Sequence, residues 1–398
     1  MRTLLGLLGV LVAGWICVRK VVWWLQPDPA GNAAPAQPMP DAHDTGSQNQ
    51  DKLLEPIRRK YKLPALAAAV VREDKVVAIG AVGVRRAGSP ERVTVNDAFH
   101  LGSCTKSLTA TLLAMLVERG KLSWDTTVAA TFEPLKAKIR SEYHPVTLEQ
   151  LLSHRSGLPD DTSPFNEVFS KLRELDGPML QQRLKLVELA LGQNPAAAPG
   201  AKMIYSNYGY ALAGAMAEQA TGRPWEELLT EMLLKPLGMS TAGFGAMGTP
   251  DAVIQPWWHT RTMGVIRPIR PGPDADNPAC MGPAGTVHCS IGDFAKYAAF
   301  HLRGDHENTE LLTQASFQKL HADPFQQGYV MGWGVVARDW AGGDALTHAG
   351  SNTMNFAVIW LAPRRNFAIV VATNCGDQRA FDACDSAVGS LIESVAAK

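Results

Sequence analysis

The sequence predicts an α/β fold of the α+β kind. An antiparallel sheet is drawn from both ends of the folded region and flanked by helices, with a mainly helical insertion at about 103–300. Three observations predict it. Short β-branched and alanine-rich runs lie near residues 65–82 and again near 355–373. Helical patterns dominate from Ser103 to about Gly238, and one more closes the chain from Ala380 to Ala396. With 398 residues, the chain exceeds the size at which a single core usually stops growing, so two lobes are expected.

Taken in order, Met1 and Arg2 precede an apolar run from Thr3 to Val18, then Arg19-Lys20 and the pair Trp23-Trp24. That run falls between a signal-peptide core and a full membrane span. No A-x-A cleavage site stands near Val18, and the Trp pair suits a membrane interface. Residues 1–25 therefore read as an uncleaved membrane anchor, with a cleaved signal peptide as the alternative. Cys17 follows Trp15-Ile16, a poor lipidation site. The expected location is the cell envelope on the periplasmic side, anchored to the inner membrane, or secreted if the segment is cleaved. Positive charges on the two flanks are nearly balanced, so they leave the orientation undecided. Residues 26–50 are rich in Pro, Ala, Asp, Asn and Gln and read as a tether. The folded domain is expected over 51–398.

Ala65 to Val71 and Val76 to Val82 flank Arg72-Glu73-Asp74-Lys75 and read as an antiparallel hairpin. Asn355 to Leu361 and Asn366 to Thr373, around Ala362-Pro363-Arg364-Arg365, read as a second. Between them helices are expected from Ser103 to Gly120, and over Leu148 to Leu152, Lys185 to Gly192, Tyr208 to Thr221 and Trp225 to Leu234. Gly120 and Gly222 stand where glycine commonly ends a helix. Gly243 to Pro283 is Gly/Pro/Trp-rich with little periodicity and reads as a long loop, either functional or disordered. Trp257, Trp258 and Trp340 either line a pocket or pack in the core.

Lys plus Arg and Asp plus Glu both number 38, so the chain lacks the basic excess that nucleic acid demands. The expected partners are a small-molecule or peptide substrate, and a membrane through the N-terminus. Besides Cys17 there are five cysteines. Cys280/Cys289 and Cys375/Cys384 are either disulfides or free buried thiols. There is no C-x-x-C, and the histidines do not repeat at ligand spacing, so no metal site and no cofactor are expected.

The chemistry starts at Ser103-Cys104-Thr105-Lys106. A serine at i and a lysine at i+3 share a helix face. The apolar run Leu108 to Val117 that follows predicts a buried helix, and burial lowers a lysine pKa. An amine able to shed its proton beside a hydroxyl is a base beside a nucleophile. About one S-x-x-K is expected by chance in a chain this long. The second copy, Ser316 to Lys319, lies in a solvated amphipathic pattern and is set aside.

Tyr205-Ser206-Asn207 stands before a helix and is the only Y-x-N in the chain. Beside a cation the phenol pKa is expected to fall, while Asn207 can offer its amide to a substrate carbonyl. His348-Ala349-Gly350-Ser351 lies in an edge-strand pattern, where Gly350 allows close approach and the Ser351 N–H can face a substrate oxygen. Taken singly, a tyrosine such as Tyr205 is more often a packed core residue, and a histidine such as His348 more often an ordinary hydrogen-bonded one.

Serine-lysine, tyrosine-x-asparagine and cation-x-glycine, in this order, resemble the penicillin-recognising serine enzymes. The chain is similar to their branch of class C β-lactamases, D-alanyl-D-alanine carboxypeptidases and family VIII esterases. Further stretches agree: Phe99-His100-Leu101-Gly102, Leu151 to Pro159, Gly282-Pro283-Ala284-Gly285 and Gly328 to Gly334. The resemblance runs from about Leu54 to the C-terminus. It implies a β-lactamase/transpeptidase-like fold and an acyl-enzyme on Ser103. It also implies that Tyr205 is the base toward the serine proton, its pKa lowered by Lys106, and that the backbone N–H groups of Ser103 and Ser351 form an oxyanion hole. Asn207 would hold the substrate's acyl amide or the lysine. His348 departs from the lysine most such β-lactamases carry, and near neutral pH it is expected to be only partly cationic. The expected activity is therefore of peptidase or esterase type. A dedicated class C-like β-lactamase and a catalytically silent peptidoglycan- or partner-binding relative are the alternatives.

Overall fold

The computed structural model describes residues 47–161, 167–272 and 275–396. The anchor reading for 1–25, Cys17 and most of the tether lie outside these residues. Of the tether's end, Gln48 and Asn49 already form a strand, β1 (Gln48–Asn49). It pairs in parallel with β3 (Lys75–Gly83), which forms the expected hairpin with β2 (Ala65–Arg72).

From the far end of the chain come β4 (Tyr329–Val330), β5 (Trp333–Arg338), β6 (Gly343–Ser351), β7 (Phe356–Ala362) and β8 (Phe367–Thr373). The sheet order is β1-β3-β2-β8-β7-β6-β5-β4. Apart from β1, all pairs are antiparallel, and β8 against β2 joins the two ends, Phe367 opposite Arg72 and Ala372 opposite Ala67. β2, β7 and β8 are buried on both faces, which is why they read as continuous apolar runs and not as alternating ones. Alternate residues feed two cores. Ala65, Ala67 and Ala69 join one that extends into the helical region, whereas Leu66, Ala68 and Val70 pack with helices from the chain ends.

Those end helices are α1 (Asp51–Tyr61) and α5 (Gln378–Ala396), and α4 (Ile291–His306) covers the opposite face. Within the helical region, α2 (Thr105–Glu118) is buried from Thr105 to Leu116, as the apolar run from Leu108 predicts. α3 (Asn207–Thr221) ends at Gly222, whose φ of 71° meets the expected glycine stop. Arg183, fully buried on the helix Met179–Leu191, is ion-paired with Glu218 and Glu226 and donates to the Cys280 carbonyl. That helix starts before the expected Lys185, because Pro178 precedes its first turn.

Several expectations are corrected. The Gly243 to Pro283 stretch is not without structure. Trp258–Thr262 and Val265–Ile269 form a hairpin around Met263-Gly264, and Gly243–Phe244 joins Ala98–His100 and Val287–Ser290 in a small sheet. Both faces of the hairpin's outer half are exposed, so its strands carry no period-two apolar signal. Trp257 and Trp258 are buried, and Trp340 packs against Trp360 and Phe367. The five cysteines described are free and buried, which selects the thiol reading over disulfides. No helix among the described residues is long and apolar enough to cross a membrane.

Candidate active site

Ser103 sits on the single 3-10 turn Gly102–Cys104 that feeds α2, with 6% of its surface exposed. The turn is wedged against the end of β6. The last pairing of β6 with β5 is Thr347 with Gly334, so His348 to Ser351 pair on one side only, with β7. Gly102 and Ser103 lie on the other side. A Cβ on Gly350 would stand 2.0 Å from the Leu101 carbonyl oxygen and 2.5 Å from the Ser103 nitrogen. A Cβ on Gly102, whose φ is 51°, would stand 2.3 Å from the Ser351 nitrogen. Only paired glycines let these backbones touch.

The one-turn offset brings Lys106 Nζ to 2.9 Å from Ser103 Oγ. The amine is fully buried and also donates to Asn207 Oδ1 at 2.7 Å and to the Ala284 carbonyl at 2.7 Å. Carbonyl oxygens only accept. Two of the three Nζ directions are therefore fixed as donors, and a neutral amine has its lone pair left for the Ser103 hydroxyl. Burial pulls the Lys106 pKa down to about 7, while the Asp161 carboxylate holds it up against that trend.

Tyr205 donates its hydroxyl to Ser103 Oγ at 2.9 Å. His154 clamps the segment. Its carbonyl accepts from Ile204 N, its Nδ1 accepts from Ser206 N, and its ring packs on Tyr205 at 4.3 Å. His154 holds a left-handed φ of 56° to do so. The expected fall in the Tyr205 pKa does not occur. Burial and the neighbouring Tyr329 push the phenol well above its ordinary value, and the bond to Ser103 offsets this only in part. In this site the amine is the group tuned toward neutrality and the phenol stays protonated.

His348 is corrected as well. Burial, with the Lys106 charge nearby, takes its imidazole down to about 3, so it is neutral and not partly cationic. Nδ1 donates to the Ala349 carbonyl at 2.7 Å, leaving Nε2 to accept from Tyr329 at 3.3 Å. Its backbone carbonyl faces the turn, accepting from the Cys104 thiol at 3.2 Å. The structure thus brings Ser103, Lys106, Tyr205 and Asn207 into direct contact and sets Gly350 and Ser351 against the nucleophile's backbone. The His348 ring stands against Tyr329 as an uncharged group. The second S-x-x-K does not form a pair: Lys319 binds Glu149, and Ser316 binds Glu118.

Sequence reasoning missed two carboxylates. Asp161 lies just past the Leu151 to Pro159 stretch and is 5% exposed. It accepts from the backbone N–H groups of Asn207 and Tyr208, at 2.9 and 2.8 Å, and from Asn207 Nδ2 at 3.0 Å. Asp276 accepts from His100 Nε2 at 2.9 Å and Asn352 Nδ2 at 3.1 Å, tying the residues that precede and follow the two loops at the nucleophile. Both bond to residues far along the chain, from loops with no periodic signal. Among the described residues no group of His, Cys, Asp and Glu has the makings of a metal site.

With this geometry in hand, the Beta-lactamase family profile matches residues 50–389. Penicillin-binding protein 4 of Amycolatopsis lactamdurans is 26% identical over 341 residues, covering 82% of this chain and 84% of that protein. Unguisins hydrolase ungD of Aspergillus violaceofuscus is also 26% identical, covering 79% of this chain, which spans 59% of ungD's length. Among solved structures, the octameric penicillin-binding protein homologue from Pyrococcus abyssi superposes with a TM-score of 0.69 at 22% identity, over 86% of this chain and 76% of that one. A profile match over most of the chain, on a fold with the same sheet and helices, makes this protein a member of the β-lactamase family, whose enzymes are generally serine hydrolases.

Proposed function

We propose that this chain is a serine hydrolase that works through an acyl-enzyme on Ser103 and acts on esters, amides or D-amino-acid peptides. The observation that carries the reading is the coordination of Lys106 Nζ, which leaves one direction, toward Ser103 Oγ, for a lone pair. Lys106 takes the Ser103 proton as Oγ bonds to the substrate carbonyl carbon. The N–H groups of Ser103 and Ser351 meet the oxygen as it becomes negative. Tyr205, still protonated, hands its proton to the leaving group, and the Lys106 ammonium restores it. Water then releases the acyl group by the same steps.

His348, being neutral, offers no charge to a substrate carboxylate. That favours acyl compounds without an anionic group at that position, and makes β-lactam turnover secondary. Labelling of wild type and Ser103→Ala with a fluorophosphonate and a fluorescent penicillin tests the nucleophile. At least one probe labels the wild type and neither labels the variant; equal labelling of both would remove Ser103. Turnover of p-nitrophenyl esters is expected to exceed that of nitrocefin. Its kcat/KM rises with pH through about 7, because the amine must lose its proton first.

A further inference from the structure

We propose that Asp161 is a positioning residue that sets the proton-carrying state of Lys106 through Asn207. The inference rests on the proposed acyl-enzyme reading and adds a residue to it. Asp161 receives three N–H groups at the start of α3: the backbone donors of Asn207 and Tyr208, which an α-helix leaves without partners, and one hydrogen of the Asn207 amide. A carboxylate can only accept, so it fixes which way that amide faces. Nδ2 meets Asp161, and Oδ1 is forced toward Lys106 at 2.7 Å. One Nδ2 hydrogen remains for a substrate carbonyl. With the amide turned over, its NH₂ would meet the ammonium donor to donor, or would draw the lone pair of the neutral amine away from Ser103.

The charge environment singles out the same residue. The groups around Lys106 are Tyr205 and Tyr210, whose rings lie 5.0 and 5.6 Å from Nζ, with Cys104, His154 and His348, and with Tyr329 bonded to Tyr210. The three phenols and the thiol are pushed up by burial and the two imidazoles are pushed down, so all six are uncharged near neutral pH. Asp161 is the carboxylate acting on the amine. It is itself buried and raised to about 6. The two groups titrate as a pair, and the carboxylate keeps the amine from losing its proton at still lower pH.

The sign follows. Removing the negative charge makes the ammonium harder to keep, so the acidic limb of kcat/KM moves to lower pH. The test compares ester hydrolysis from pH 4 to 9 by wild type, Asp161→Asn and Asp161→Ser, with fluorophosphonate labelling of each and Ser103→Ala as the blank. Serine retains a capping oxygen without the charge, so at least one uncharged variant keeps the start of α3. Both variants are expected to acylate at Ser103 with a lower plateau and a limb shifted down by about one pH unit. A labelled variant whose limb stays with the wild type's, whatever its plateau, would reduce Asp161 to a helix cap and overturn the inference. A flat profile in the wild type, or labelling of Ser103→Ala, would instead bring down the lysine-base reading beneath it.

Discussion

Replacing Gly350 with alanine is the sharpest test of the backbone contact at the nucleophile. The added Cβ would stand 2.0 Å from the Leu101 carbonyl oxygen, 2.5 Å from Ser103 N and 2.8 Å from Cys104 N. All three are backbone atoms of one tight turn, with no flexible side chain that could swing away. β6 and the turn must therefore part by roughly an ångström or more, a displacement that can by itself cost about a hundredfold in rate. Ser103 N and Ser351 N are the two proposed donors to the developing oxyanion, and losing one is commonly worth 10²–10³ in kcat, or about 3 kcal/mol. The expected outcome is a fall of that order in kcat for p-nitrophenyl ester hydrolysis. KM should change little, because the lost contacts belong to the transition state. Gly350 lies at the end of β6, beyond its last pairing with β5, so the thermal unfolding transition should stay cooperative. A folded Gly350→Ala enzyme with kcat within about threefold of wild type, roughly 0.6 kcal/mol, would refute the proposed oxyanion hole.

Tyr205→Phe removes the one hydroxyl that donates to Ser103 Oγ and should lower the acylation rate by about 10²–10⁴ while leaving the fold intact. Stopped-flow acylation at the wild-type rate would take the phenol out of the mechanism. Arg183→Met leaves Glu218 buried without its cation and should cost about 3–5 kcal/mol, read as an earlier urea midpoint. A midpoint unchanged from wild type would mean that Glu218 finds another partner. A phosphatase-type reporter fused after Lys398 is expected to be active outside the cytoplasm, as the envelope reading of residues 1–25 requires. A reporter active only inside would overturn that reading.

What could be read from the sequence was whatever depends on neighbours along the chain. The two hairpins, the glycine stop after α3 and the Ser103-Lys106 spacing are local patterns, and each lies where its period put it. Of the charge states, that of Lys106 was legible from the apolar run after it, while those of Tyr205 and His348 were not, since they are set by what folds around each group. Tyr205 rises and does not fall because apolar and phenolic neighbours surround it, and His348 is neutral because β6 buries it beside a lysine. Asp161 and Asp276 were missed for a related reason. Each bridges residues far away in sequence, from a loop whose composition marks a turn and nothing more. The hairpin at 258–269 was hidden because exposure on both faces erases the alternation that betrays a strand.

The joining of β2 to β8 in the middle of the sheet has a consequence for how the molecule is made. On the ribosome β2 and β3 emerge together, but β8, the other partner of β2, follows only after the whole helical middle. The helical middle must wait with α4's sheet-facing side covered only by β2 and β3, and closing so long a loop slows folding. Until β8 is free, β2 presents an open edge to any passing strand. The interval before β8 pairs is when the chain is most open to misassociation.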